Sequence, residues 1–257
     1  MIAAWSHLDR ISNQFISYAN SLGSGSPDHE FVVWTYRNES RAIMVMAVST
    51  DGNLNSSNFA AFSKIPLDYD LRATQSLSSL AEGISDDGGS YDMSFALTLQ
   101  ATTETMRMCS DVFRALSQEL RKAGIPLSLT FVFQPLPRQP LHAALSENIL
   151  GLEENLPVDS ILFDAGGTLE ASDVEYRGVA YRKLAHAIEE IRAFSASRNN
   201  HSPYVYMNYA NPHQDVFRSY GARNAEFLKK TAARYDPSGF FQYRVSGGVK
   251  VSQTRLA

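Results

Sequence analysis

Two segments with alternating apolar and polar residues, one on each side of a long amphipathic stretch, constrain the fold of this chain most strongly. In residues 93–100 and 127–134, bulky apolar side chains occupy every second position. Such alternation predicts two β-strands that each bury one face. Between them, apolar residues at three- and four-residue steps over 106–120 predict a helix that packs on the buried face. The pattern therefore favours an α+β fold.

The other segments add helices and a hairpin. Apolar residues at helical spacing predict helices over residues 5–22, 176–194 and 224–233, with a short helix at 74–81. Two runs rich in β-branched and aromatic residues, 31–36 and 42–48, are joined by a short polar turn and predict a β-hairpin. The length of 257 residues and the ordinary globular composition predict a single domain spanning residues 1–257.

The reverse faces of the two alternating strands carry small and polar side chains. They are Ser94, Ala96, Thr98 and Gln100 on the first strand and Ser128, Thr130, Val132 and Gln134 on the second. Such a face neither drives burial nor resembles a charged, solvated surface. Two interpretations are open, a sheet with one wet side or the floor of a small-molecule pocket, and the pattern alone favours the wet side.

Charge and motif content narrow the function classes. The formal net charge of -4, without clusters of Lys and Arg, argues against nucleic-acid or anionic-membrane partners. No apolar run approaches membrane-spanning length, and residues 1–22 are too polar for a secretory signal, so we expect a cytoplasmic protein. Zinc spacing, phosphate-binding glycine loops and a nucleophile elbow are absent from the sequence, and no metal is expected.

The last fifty residues carry the most specific motifs. They are Tyr206-Met207-Asn208-Tyr209, Tyr220-Gly221 with Asn224, Tyr235-Asp236-Pro237 and Phe240-Phe241-Gln242. This ending resembles the C-terminal, substrate-binding half of the fungal berberine-bridge-enzyme-like FAD-linked oxidases. Residues 133–137 and 148–152 extend the resemblance over most of the chain. The resemblance implies an antiparallel sheet with helices packed on one face and a substrate pocket on the other, so the pocket interpretation becomes the favoured one.

The resemblance also implies roles for individual residues. It implies Tyr209 as the catalytic acid or base, and it places Tyr206, Asn208 and Gln242 at the flavin. The polar strand faces then supply the substrate-binding residues Thr98, Gln100, Ser128, Thr130 and Gln134. To act as a base near neutral pH, Tyr209 needs surroundings that lower its pKa from the ordinary value of about 10.

The resemblance implies FAD as cofactor and a place in fungal secondary metabolism, but the family's flavin-binding domain has no counterpart in these 257 residues. Three readings stay open. A flavin-binding partner subunit or a homo-oligomer supplies the flavin for oxidation, the chain is a truncated product, or the pocket works without a cofactor as a cyclase, isomerase or dehydratase on a natural-product intermediate. A module that only binds a small apolar ligand is a non-enzymatic alternative.

Residues 161–169 raise a competing reading. They resemble the opening motif of haloacid-dehalogenase-like phosphatases, in which the first aspartate, here Asp164, is the nucleophile. Those enzymes need a parallel sheet and a later pair of acidic metal ligands, and the residues after Leu169 hold no acidic pair at the end of an apolar strand. The phosphatase reading is therefore set aside, and no role is assigned to Asp164.

Overall fold

A computed structural model of the protein describes residues 1–22, 26–83, 88–138, 148–156 and 158–254. Its strands are β1 (Ile2–Ala4), β2 (Asp28–Arg37), β3 (Ser40–Ser49), β4 (Ser90–Gln100), β5 (Ser128–Leu136), β6 (Ser160–Glu170) and β7 (His201–Ser202). Within the described residues they form one seven-stranded sheet in the order β1-β3-β2-β5-β6-β4-β7. Every neighbouring pair is antiparallel, which confirms the predicted antiparallel α+β fold.

Eight α-helices lie within the described ranges. They are α1 (Leu8–Ser21), α2 (Leu77–Gly83), α3 (Thr103–Lys122), α4 (Leu152–Asn155), α5 (Arg177–Ser197), α6 (Val216–Ser219), α7 (Ala222–Tyr235) and α8 (Phe240–Tyr243). The five helices predicted from periodicity correspond to α1, α2, α3, α5 and α7. The three others are single turns, which are too short to show a helical repeat in the sequence.

The predicted hairpin is present as β2 and β3. The two strands pair continuously from Asp28 opposite Ser49 to Arg37 opposite Ser40. Asn38 and Glu39 form the connection, with φ angles of 49° and 62°. Positive φ at both central residues is what tight hairpin turns require, because it matches the twist of the flanking strands.

The main hydrophobic core lies between one face of the sheet and helices α1, α3 and α5. Phe15, Phe113 and Ile188 represent the three helices in this core, and Phe131 and Phe163 represent the sheet. The backbone N–H of Thr105 donates to the Thr102 hydroxyl (3.1 Å), which caps the start of α3. The prediction that the helices cover the bulky face of the strands is confirmed.

Strand β6 is an interior strand of the sheet, between β5 and β4. Asp164 lies in the middle of this strand, opposite Ala96 on one side and Val132 on the other. Because both neighbouring strands are antiparallel to β6, the parallel sheet of a haloacid-dehalogenase-like phosphatase is absent from the described residues. The fold therefore excludes the phosphatase reading.

The second face of the sheet is partly covered, which corrects one expectation. A second hydrophobic cluster, formed by Leu152, Leu156, Leu162, Tyr204, Val216, Phe217 and Tyr220, packs on the β4–β6 side. Thr98 and Ala96 are consequently 0% and 1% exposed, so an open floor is wrong at Thr98. The apolar residues that cover this region come from α4, α6 and irregular segments, where no period reveals a buried face.

None of the described helices is both long and apolar enough to cross a membrane.

Candidate functional site

The phenol of Tyr209 lies against the second face of the sheet. Tyr209 ends a single 3-10 turn, Met207–Tyr209. Its hydroxyl donates to Oε1 of Gln134 on β5 at 3.1 Å. Its ring meets that of Tyr206 edge to face, with centroids 5.0 Å apart. Two residues that the sequence analysis assigned to the site, Tyr209 and Gln134, are therefore in direct contact.

Asp164 and Ser94 lie beside this turn. The Ser94 hydroxyl oxygen is 2.5 Å from Oδ1 of Asp164 and 2.6 Å from the carbonyl oxygen of Tyr209. One hydroxyl carries one proton, so Ser94 can donate to only one of these two acceptors. When the Asp164 carboxyl is protonated, it can donate to Ser94 while Ser94 donates to Tyr209. The protonation state of Asp164 is thus linked to the hydrogen bond that holds the Tyr209 backbone.

Burial sets the proton affinities of the two titratable side chains. Burial raises the pKa of Asp164 to about 6, against the opposing effect of hydrogen bonds from Ser94 and the Phe95 backbone. Burial, followed by the charges of Asp164 and Tyr206, raises the pKa of Tyr209 above its ordinary value. The lowered phenol pKa that a phenolate base requires is therefore not found. Tyr209 suits proton donation at neutral pH, and Asp164 suits proton acceptance.

The five predicted substrate-binding residues do not form one contact set. Gln100 pairs with Ser160 at one end of β6, and Ser128 pairs with Thr168 near the other end. At about 3.3 Å per residue, these positions are roughly 25 Å apart, beyond the reach of one small molecule. Thr98 is sealed under the second cluster, and its hydroxyl has no hydrogen-bond partner among the described residues. Gln134, with Thr130 half-buried on the same strand face, is the predicted residue that meets Tyr209.

Of the three residues predicted to contact the flavin, Tyr206 and Asn208 lie together and Gln242 lies elsewhere. Asn208 is exposed, and its side-chain amide donates to the hydroxyl of half-buried Tyr206 at 2.8 Å. A phenol beside a carboxamide offers donors and acceptors that fit the polar edge of a flavin ring. Gln242, by contrast, accepts from the backbone N–H of Ser252 at 3.1 Å. Its side-chain oxygen therefore joins α8 to the segment around Ser252, and we assign Gln242 no flavin contact.

An apolar strip, which the sequence analysis missed, continues the site across the sheet. Val33 on β2 lies opposite both Met44 on β3 and Val132 on β5. The neighbouring Phe31 and Met46 belong to the same face, and all except Val33 are only half-buried. The sequence signal for this strip is the alternation in residues 31–36 and 42–48, which puts Phe31 and Val33, and Met44 and Met46, on one face of each strand. The strip offers an apolar surface beside the polar group at Tyr209.

Gly151 allows the close contact that supports the second cluster. It has φ +67°, and a Cβ at this position would lie 2.2 Å from the carbonyl oxygen of Tyr220. We expect Gly151→Ala to lower the free energy of unfolding by about 3 kcal/mol, since left-handed strain adds to a backbone clash. Gly52→Ala is the matched control, because Gly52 has φ +79° and open space around the added Cβ. Equal losses in denaturant unfolding of the two variants would contradict the packing argument.

The antiparallel sheet backed by helices is also found in solved FAD-linked oxidases, where the matching region is about half of each oxidase chain. Berberine bridge enzyme from Eschscholzia californica superposes with a TM-score of 0.56 at 10% identity, over 100% of this chain and 54% of that chain. 6-Hydroxy-D-nicotine oxidase from Arthrobacter nicotinovorans superposes with a TM-score of 0.64 at 11% identity, over 94% and 52% of the two chains.

Sequence relatives agree with the fold, although no protein-family profile matches the chain. A FAD-dependent monooxygenase of Aspergillus calidoustus is 37% identical over 110 residues, which are 43% of this chain and 20% of that protein. Another of Fusarium proliferatum is 32% identical over 188 residues, 68% of this chain and 35% of that protein. The chain is similar in sequence to parts of fungal FAD-dependent monooxygenases and shares the fold of about half of a berberine-bridge-enzyme-like oxidase, which confirms the resemblance seen in its C-terminal motifs.

Proposed function

We propose that this chain binds a small organic molecule on the second face of its sheet and exchanges a proton with it, as the substrate-binding part of an FAD-dependent oxidoreductase. The observation that carries the proposal is the placement of the Asp164 carboxyl beside the turn that carries Tyr209. Ser94 contacts this carboxyl and the backbone carbonyl oxygen of Tyr209, and the charge of Asp164 raises the pKa of the Tyr209 phenol. Two neighbouring titratable groups with separated proton affinities are the arrangement that acid–base catalysis uses. The kinship with FAD-dependent monooxygenases supports the redox class.

Each part of the face has a role in this proposal. The strip of Phe31, Met44, Met46 and Val132 holds the apolar body of the substrate. Gln134, whose side-chain oxygen accepts from Tyr209, orients the phenol toward the substrate. When the substrate is bound, the Tyr209 hydroxyl turns its one proton from Gln134 to the substrate and donates a hydrogen bond or that proton, and Asp164 accepts the proton that the substrate loses. Burial raises the pKa of Asp164 to about 6, which makes its carboxylate a useful base near neutral pH.

FAD, when bound, would supply the hydride acceptor, and Tyr206 and Asn208 would contact it. These two side chains are too few to retain the cofactor alone. We therefore propose that a flavin-binding partner subunit, or an interface between copies of this chain, provides most of the binding energy. A substrate from fungal secondary metabolism is part of the same proposal.

The flavin contact can be measured on the chain as it stands. Titration with FAD should give weak, saturable quenching of flavin fluorescence, because Tyr206 offers an aromatic face beside the Asn208 amide. Asn208→Ala should weaken this binding about threefold to tenfold, the value of one hydrogen bond. Asn13→Ala, an exposed amide on the helix-covered side, is the control. Quenching that is unsaturable, or equal in both variants, would refute the flavin contact.

A second function is favoured by one observation. The proposed acid and base both belong to this chain, and the charge of Asp164 acts on the Tyr209 phenol, so proton transfer needs no cofactor. A cofactor-independent isomerase, cyclase or dehydratase would use the same two groups. Product formation from a polyene or phenolic substrate by flavin-free protein, with no redox change, would select this function over the oxidoreductase.

A further inference from the structure

We propose that Gln214 is a positioning residue that fixes the turn carrying Tyr209 against the outer edge of β4 and so sets the place of the phenol. This inference rests on the proposed function, because the position of Tyr209 matters for chemistry only if its phenol meets a substrate. It concerns a residue that the C-terminal motifs do not include.

The carboxamide of Gln214 takes the place of a strand. β7 pairs with β4 only at Thr98 and Leu99. Two residues away, the backbone N–H of Ala96 donates to Oε1 of Gln214 (2.9 Å), and Nε2 of Gln214 donates to the Ala96 carbonyl oxygen (2.7 Å). This reciprocal pair reproduces the hydrogen bonding that a neighbouring antiparallel strand would make. The side chain thus continues the sheet edge where β7 has ended.

The same carboxamide also binds the turn. The backbone N–H of Asn211 donates to Oε1 of Gln214 at 2.9 Å, and the Asn211 side chain donates to the Ser94 carbonyl oxygen at 2.9 Å. Ser94 in turn reaches the Tyr209 carbonyl oxygen. The turn is therefore attached to β4 at consecutive outward-facing positions. Gln134 lies on β5, on the far side of β6, so a shift of the turn along β4 changes the distance from the phenol to both Gln134 and Asp164.

Gln214→Met tests the anchor, since methionine has similar size but cannot replace the paired donor and acceptor. Tyrosines labelled with ¹³C at Cζ report each phenol by NMR, and the signal lost in Tyr209→Phe identifies Tyr209. We expect Gln214→Met to lower the pKa of Tyr209 toward its ordinary value, because the ring leaves its half-buried contact. The matched control is Gln118→Met on the exposed face of α3, which should leave the signal unchanged.

Gln214→Glu gives a reversible version of the test. The protonated carboxyl of this glutamate can donate to the Ala96 carbonyl oxygen. The ionised carboxylate has no proton to donate, so a carboxylate oxygen and the Ala96 carbonyl oxygen, both acceptors, then face each other. We expect the Tyr209 signal to match that of the parent at acidic pH and to move away as the new carboxyl ionises, each spectrum being referenced to the parent at the same pH because Asp164 also titrates. A purely structural role would change stability without this reversible displacement.

Unchanged Tyr209 signals and titration in both variants would overturn the inference, and the glutamate variant decides alone if the methionine variant does not fold. The outcome is separable from the proposed function. Retained turnover by Tyr209→Phe would refute the role of the phenol in catalysis while leaving the anchoring result in place.

Discussion

Replacing Glu30 by glutamine is expected to stabilise the protein at neutral and alkaline pH by several kcal/mol. Glu30 lies on β2 and is 2% exposed. Neither carboxyl oxygen has a hydrogen-bond partner among the described residues. Burial raises the pKa of this carboxyl to about 9, so the folded protein keeps it protonated at pH 7. The unfolded chain, whose glutamate has an ordinary pKa, releases the proton.

The sign of the effect follows from linkage. Below about pH 4.3 the carboxyl is protonated in both states and imposes no pH-dependent cost. Between that value and pH 9 the unfolded state alone loses its proton, so stability falls by about 1.4 kcal/mol per pH unit. The accumulated loss is roughly 4 kcal/mol at pH 7 and roughly 6 kcal/mol at pH 9. Glutamine has no proton to lose, and the variant escapes this loss.

Denaturant unfolding of Glu30→Gln and the parent at several pH values between 5 and 9 measures the difference directly. Glu175→Gln is the matched control, because Glu175 is exposed. Tyr18 of α1 also faces this region, and its pKa is raised by burial and by the charges of Glu30 and Asp28. Parallel pH profiles for Glu30→Gln and the parent would show that Glu30 is not held neutral in the fold.

Asp28, two residues earlier on β2, shows what Glu30 lacks. It is 3% exposed, but its carboxylate accepts hydrogen bonds from the side chains of Ser49, Ser56 and Asn58. A buried carboxylate with such donors can stay ionised, whereas one without them is neutral or destabilising. The sequence marks both residues only as acidic positions on a strand, so their different states depend on contacts with residues 49–58.

The elements that the sequence predicted correctly are those with long periodic patterns. Alternation in β4 and β5 and the helical repeats of α1, α3 and α5 extend over several turns or pleats, so the buried face is encoded locally. The second cluster could not be found this way, because α4 and α6 are single turns. Their burial depends on contacts such as that between Asn155 and the Ser219 carbonyl oxygen, 64 residues apart.

Asp164 shows a different limit of prediction from the sequence, which concerns the contacts of a residue rather than its secondary structure. Ile161, Phe163 and Leu169 fall on one face of the strand together with the small residues Ala165 and Gly167, so the rule applied to β4 and β5 would have placed Asp164 on the opposite face. The order β5-β6-β4 decides that this face meets Ser94 and Tyr209, and that order is set by pairing between distant segments. Gln214 needs the same information, since its contacts with Ala96 span 118 residues.

Removing either proposed proton-transfer group is expected to reduce turnover roughly 100-fold or more, the usual contribution of a positioned acid or base. Tyr209→Phe keeps the ring but removes the hydroxyl that contacts Gln134. Asp164→Asn keeps the shape of the carboxyl but cannot accept a proton. The two effects should be far from additive in the double variant, because both groups act on the same substrate in the same reaction step.

The pH profile distinguishes the base from a residue that only supports the fold. Asp164 has a raised pKa of about 6, so a base role predicts that turnover falls as pH drops below about 6 and the carboxyl becomes protonated. Asp164→Asn should lose this acid limb along with its rate. Asp92→Asn is the control, because Asp92 is an exposed carboxyl on β4, on the same face of the sheet as Asp164. This variant should keep both the turnover rate and the acid limb of the pH profile. An acid limb that persists unchanged in Asp164→Asn would assign the titration to another group and remove Asp164 from the proposed reaction.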